Sequence, residues 1–103
     1  MNIFVDIDET ICHYEGPREY HLAVPSKWAI NKINDLYDKG NTITYWTARG
    51  SVYKDRRDEF YKLTKKQLKA WGVKYTTLKV GKPAYDVWID DKAWNVNNYF
   101  GDR

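Results

Sequence analysis

Ile3-Phe4-Val5-Asp6-Ile7-Asp8-Glu9-Thr10 is the stretch on which the reading of the whole chain turns. Its apolar residues stand together with only Asp6 between them, too short a run for a helix of ordinary length. Apolar on both faces, it suits a strand buried in a parallel sheet, where flanking helices remove the usual alternation. The carboxyl end of that strand then presents Asp6, Asp8 and the Thr10 hydroxyl.

Outward from there, a loop from about Cys12 to Pro25 leads to Ser26, which can cap a helix carrying Ile30, Ile33, Leu36 and Tyr37 and stopping at Gly40. Thr42-Ile43-Thr44-Tyr45-Trp46 is a β-branched and aromatic strand ending at Thr47-Ala48-Arg49-Gly50. Phe60, Leu63, Gln67/Leu68 and Trp71 recur every three or four positions, predicting a second helix from about Lys54 to Trp71. Val73 to Val80 reads as a third strand. Gly81-Lys82-Pro83 punctuates, and Asp86-Val87-Trp88-Ile89-Asp90 reads as a fourth strand that runs into Asp91 and a short helix around Ala93–Tyr99. Strands alternating with helices predict an α/β fold: a three-layer, Rossmann-like parallel sheet with flanking helices and right-handed crossovers.

The chain has 103 residues, a formal charge of +3, 43% hydrophobic and 30% charged residues. That length suits one domain over residues 1–103 and leaves no room for a large cap. The single Cys12 cannot staple the fold, which suits a reducing, cytoplasmic setting. No apolar run approaches the roughly 18 residues that cross a bilayer, so no membrane partner is expected. A mixed-sign +3 is weak support for nucleic-acid binding, which stays open without being favoured.

Ligands of open α/β sheets bind at the carboxyl ends of the strands. Three predicted ends deliver Asp6 to Thr10, Thr47 to Arg49, and Asp90-Asp91, with Lys82 before the last. Asp6, Asp8 and Asp90 brought together would repel strongly, and the arrangement calls for a cation. Oxygen ligands without a His or Cys cluster favour Mg²⁺. A metal beside Lys82 and Arg49 makes a pocket suited to a phosphoryl group.

These residues resemble the haloacid dehalogenase (HAD) superfamily of aspartate-nucleophile phosphotransferases. The match lies in the apolar strand ending in Asp6-x-Asp8-x-Thr10, the strand-end Thr47, Lys82, and the apolar strand ending in Asp90-Asp91. Thr47-Ala48-Arg49, Gly81-Lys82-Pro83 and Ile89-Asp90-Asp91-Lys92-Ala93 look like small capsule-biosynthesis-type phosphatases. The resemblance implies a capless phosphatase in which Asp6 attacks phosphorus and Asp8 is the acid and base. It implies Mg²⁺ held by Asp6, the Asp8 carbonyl and Asp90, with Asp91 assisting. Thr47 and Lys82 would grip the phosphoryl oxygens and Arg49 would reach phosphate or leaving group. This chain departs from many relatives in placing Glu9, not Gly, before the motif threonine.

The implied substrate is a small phosphomonoester, first a sugar phosphate, second a nucleotide or a polynucleotide 3′-phosphate end. An open site can accept a bulky substrate or be covered by the neighbouring subunit of a homo-oligomer. The rivals from other classes are a non-catalytic phosphate-binding protein and a receiver domain. Lys82 is preferred over Lys79 because Gly81 and Pro83 hold it in a loop at a defined distance before the last strand. Lys62, Lys65, Lys66 and Lys69 read as a solvated helix face. His13 and His21 read as loop residues, and Asp86 as structural. Most of Trp28, Trp46, Trp71 and Trp88 are expected to be core or half-buried, with Tyr14, Tyr20, Tyr53 and Trp94 better placed at the mouth or an oligomer contact.

Overall fold

The computed structural model describes residues 1–101. Three parallel strands form its sheet in the order β1-β4-β5: β1 (Asn2–Val5), β4 (Thr42–Trp46) and β5 (Thr77–Lys79). Asn2 to Val5 face Thr42 to Tyr45, and Thr44 to Trp46 face Thr77 to Lys79. Between β1 and β4 the chain forms a two-stranded ladder of β2 (Cys12–His13) with β3 (Val24–Pro25), then α1 (Lys27–Asp38). The expected loop from Cys12 to Pro25 is thus pinned at both ends. Ser26 caps α1 as its side chain accepts from the Ala29 N–H at 3.4 Å, and Gly40 follows with a φ of 96° that favours glycine.

After β4 a 3₁₀ turn at Lys54–Arg56 leads into α2 (Arg57–Ala70), and the chain ends its regular structure in α3 (Val96–Phe100). Both crossovers step the same way across the sheet, so right-handed connections put α1 and α2 on one side of it. Ala29, Ile30 and Ile33 of α1 and Leu68 of α2 accordingly share one core with Ile43, Tyr45 and Leu78. Phe100 of α3 packs edge-on against Trp28 of α1 at 6.0 Å. The opposite sheet face, with Phe4, Trp46 and Lys79, carries no helix among the described residues, so the expected three layers are two. The reason is local: the chain leaving β5 enters an irregular segment instead of a covering helix.

The fourth strand is a second correction. Asp86–Asp90 is not a strand, and every residue from Pro83 to Asn95 is exposed. Val87 stands 72% and Ile89 94% exposed. Trp88 is exposed as well, whereas Trp28, Trp46 and Trp71 are half-buried. Two hydrogen bonds fix the chain just before this segment. The Gly81 N–H donates to the Arg49 carbonyl and the Lys82 N–H to the Thr47 carbonyl, each at 2.9 Å. The chain is thereby held at the carboxyl end of the sheet, and a parallel strand would have to start at the opposite end.

Candidate active site

Asp6 follows β1, Thr47 follows β4 and Lys82 lies just after β5, so the sheet collects them at one edge. The Thr47 N–H donates to the Lys79 carbonyl at 3.0 Å, and Lys82 donates back to Thr47, stitching the two strand-end loops together. Burial pushes the Asp6 carboxyl above its ordinary value. The Ile7 N–H, Lys82 and Arg18 pull it down and the neighbouring Asp8 charge pushes it further up. A half-buried carboxylate under the charge of an ammonium at the same sheet edge is the feature of this edge best suited to chemistry.

Lys82 itself is flanked by rings. Its Nζ lies 4.9 Å from the Trp88 ring centre, 5.1 Å from Tyr85 and 5.8 Å from Trp46, and 3.4 Å from the Tyr85 hydroxyl. Lys79, the competing lysine, has Nζ 6.0 Å from Trp46, and of the two it is Lys82 that stands among the main charges acting on Asp6.

Asp8 turns the other way. Its carboxylate receives Arg49 Nη2 on Oδ1 at 2.8 Å and Arg49 Nε on Oδ2 at 3.1 Å, and the Tyr14 hydroxyl donates to Oδ1 at 2.5 Å. Burial alone would raise this carboxyl, but the hydrogen bonds and charge of Arg49, followed by Tyr14 and Cys12, outweigh it and hold the group below the ordinary range. A carboxyl held ionised in this way is poorly matched to donating a proton at neutral pH.

Arg49 is a correction to the expected phosphate contact. It has no exposed surface, and its Nη1 donates to Thr64 Oγ1 at 2.9 Å and Gln67 Oε1 at 2.6 Å. The Tyr20 ring lies 4.7 Å from the guanidinium carbon, and Gln67 Nε2 donates in turn to the Tyr20 carbonyl at 2.6 Å. Arg49 therefore ties the β1 loop, the β4 loop, α2 and the segment before α1 to one another. Thr64 and Gln67 were not singled out as partners from sequence. Their signal was a pair of polar residues three apart on the buried stripe of α2.

Thr47 is 1% exposed, and its Oγ1 accepts from the Arg49 N–H at 3.2 Å, so its hydroxyl braces the loop. Thr10 is half-buried in the turn after Asp8, with its N–H on the Ile7 carbonyl at 3.0 Å. Glu9 occupies the left-handed region at a φ of 64°, which explains why a glycine would suit this place. Cys12, buried and beside Asp8, has its thiol pushed up to about 12 by burial and the Asp8 charge.

Asp90 and Asp91 stand exposed on the segment that failed to join the sheet. The Lys92 N–H, the Asp91 carboxyl and the Trp88 indole lower Asp90, while hydrogen bonding to Asp90 raises Asp91. Neither is among the main influences on Asp6 or Asp8. Among the described residues no group of three or more His, Cys, Asp and Glu is placed to hold a metal ion. Of the carboxylates implied for Mg²⁺, Asp90 and Asp91 are thus not grouped with Asp6 and Asp8, while Arg49 occupies the Asp8 side chain and not the backbone carbonyl that the resemblance assigns to the ion.

No helix of the described residues is long and apolar enough to cross a membrane. No family model matches the chain, and no curated protein matches it. Among solved structures, it is similar to the crystal structure of an MCSG target from Vibrio cholerae, with a TM-score of 0.83 and 22% identity over 99% of this chain and 89% of that one. That likeness establishes the fold alone, a small α/β domain built on a parallel sheet.

Proposed function

We propose that this chain is a HAD-like, capless phosphatase: a Mg²⁺-dependent phosphomonoester hydrolase that forms an aspartyl-phosphate on Asp6, with a sugar phosphate as first substrate class. The observation that carries the reading is the meeting of Asp6 and Lys82 at the carboxyl edge of the sheet, Lys82 being bonded through its backbone to Thr47. Burial makes Asp6 more basic than a solvated carboxylate, and the ammonium beside it offsets charge on an incoming phosphoryl group.

In this reading an Asp6 oxygen bonds to phosphorus as the bond to the leaving oxygen breaks, and that oxygen takes up a proton. Water then attacks the acyl phosphate, releasing inorganic phosphate and restoring the carboxylate. Asp8 must part from Arg49 to act as the acid; while paired, it fixes the turn that carries Asp6. Mg²⁺ belongs to the reading through the family resemblance, with Asp6 and the Asp8 carbonyl as the residues at the sheet edge that would hold it.

Hydrolysis of p-nitrophenyl phosphate with Mg²⁺ by the wild type, against Asp6→Asn, tests the proposal. Turnover lost in the variant, together with a phosphate-sized mass gain trapped on the wild type, supports it. Equal residual turnover in both would remove Asp6 as nucleophile.

A further inference from the structure

Between Phe60 and Tyr85 the chain carries seven lysines and neither an acidic residue nor an arginine. That stretch holds a charge of +7, leaving −4 on the remainder of a chain whose total is +3. In the fold it forms most of α2, the turn that follows and the edge strand β5, so the charge gathers on one flank of the sheet. The modest net charge conceals a strongly basic flank.

Helical spacing concentrates it further. From Lys62 to Ala70 the exposed positions of α2 are Lys62, Lys65, Lys66, Lys69 and Ala70, while Thr64 and Leu68 are buried. The four lysines, with Val73 and Tyr75, line an open groove of about 510 Å³. Lys62 pairs with Asp58 at 3.1 Å, whereas Lys65, Lys66 and Lys69 have no ion pair among the described residues. A face kept only for solubility mixes its signs, as the first turn of α2 does with Arg57, Asp58 and Glu59. Here the sign is single.

The floor of the groove is apolar. Val73, Tyr75 and the methylene stems of the lysines supply it, and the ammonium groups reach water at the rim. Tyr75 is half-buried, and its ring stands 85° to that of buried Tyr45 with centres 6.1 Å apart, a contact that fixes its orientation.

We infer that this groove docks a single strand of nucleic acid, with successive phosphates on Lys65, Lys66 and Lys69 and a base against the Tyr75 ring. Lys62 to Lys69 cover about 10 Å of helix axis, roughly three nucleotide rises, so a polymer with one anion per unit engages all the unpaired cations at once. A free phosphate leaves most of them unmatched. The aromatic floor calls for a flat face, which a single strand exposes and a duplex keeps within its stack. An acidic peptide supplies charge without that face. A bilayer fits less well, since beyond the lysines this face of α2 offers only Ala70 and no large apolar side chain to insert. Val73 and Tyr75 precede β5 and so lie at the end of the sheet opposite Asp6, and the inference does not rest on the phosphatase reading.

Fluorescence anisotropy of a labelled oligothymidylate of about twelve nucleotides tests it, read from about 50 to about 200 mM salt. The wild type is expected to bind with a log–log salt slope of about −2, the value for three phosphate contacts on a single strand. Lys65→Gln/Lys66→Gln/Lys69→Gln is expected to weaken binding by about tenfold or more and to bring the slope close to zero. Its circular dichroism spectrum should be unchanged, because all three side chains are exposed. Lys27→Gln/Lys32→Gln/Lys54→Gln removes the same charge from other exposed positions and is expected to keep the slope. Tyr75→Leu is expected to weaken binding about tenfold at an unchanged slope, since stacking carries no charge. Absence of binding at the lowest salt overturns the inference. So does an equal loss in the two triple variants, which would mean attraction by overall charge alone. Tighter binding of the duplex, of polyglutamate or of phosphatidylserine–phosphatidylcholine vesicles than of the single strand gives the groove another occupant and overturns it equally. No readout uses turnover: a protein that binds the strand and hydrolyses no phosphomonoester overturns the phosphatase reading only, and an active protein that binds no strand overturns the groove only.

Discussion

Arg49 lies bidentate against Asp8, at 2.8 and 3.1 Å, with none of its own surface exposed. A guanidinium at a strand end, which by residue type suits a phosphate, is here spent on a carboxylate two residues from the candidate nucleophile. Its other nitrogen is held by Thr64 and Gln67, so the pair is hydrogen-bonded on every side that matters and acts as the clasp of the loops around Asp6.

Removing one partner should therefore be costly. Arg49→Met leaves the Asp8 carboxylate buried without its counter-charge, and urea unfolding should show a loss of about 3–5 kcal/mol. Asp8 is held below its ordinary 3.8, so the stabilisation is complete above that value and is lost as pH falls through the lower folded-state value. Melting temperature followed from pH 6 to pH 2 should drop more steeply for the wild type than for Asp8→Asn.

Asp6 should show the opposite sign. Its carboxyl is raised above 3.8, so its favourable contribution is present below that value and disappears as pH rises through the folded-state value. Ionised Asp6 costs stability at neutral pH, and Asp6→Asn should unfold at higher urea than the wild type at pH 7 but not at pH 3. Such a gain coupled to lost turnover is the usual mark of a strained functional group; equal midpoints at pH 7 would contradict it.

Glu9 holds a left-handed backbone with an exposed side chain. Glu9→Gly should raise stability by about 0.5–1 kcal/mol, since glycine takes that conformation without steric cost. Chemical denaturation reads the change directly, and Glu9→Ala should give no comparable gain.

Tyr45 is fully buried, and its hydroxyl has no hydrogen-bond partner among the described residues. Desolvation without a bond costs about 1–3 kcal/mol, so Tyr45→Phe should be neutral or stabilising by about 1 kcal/mol. A clear loss of stability would mean that the hydroxyl is bonded in solution.

Much of this was legible in the residues. Ser26 and Gly40 bracket α1, the β-branched run Thr42–Trp46 is β4, and the periodic stripe from Phe60 to Leu68 falls in α2, because caps, alternation and helical spacing are local properties. The convergence of Asp6, Thr47 and Lys82 followed from parallel topology, which sends every strand end to the same edge. The partner of Arg49 was not legible: phosphate and carboxylate attract a guanidinium equally, and only the packing of α2 against the sheet decides which one it meets.

The segment Asp86–Asp90 marks the same division. Its composition determines that it has the makings of a strand, since Val87, Trp88 and Ile89 favour extended backbone wherever an edge is offered. The tertiary structure decided where the chain leaves the sheet, through the backbone bonds of Gly81 to Arg49 and Lys82 to Thr47, because those partners are far apart in sequence and only the packed sheet brings them together.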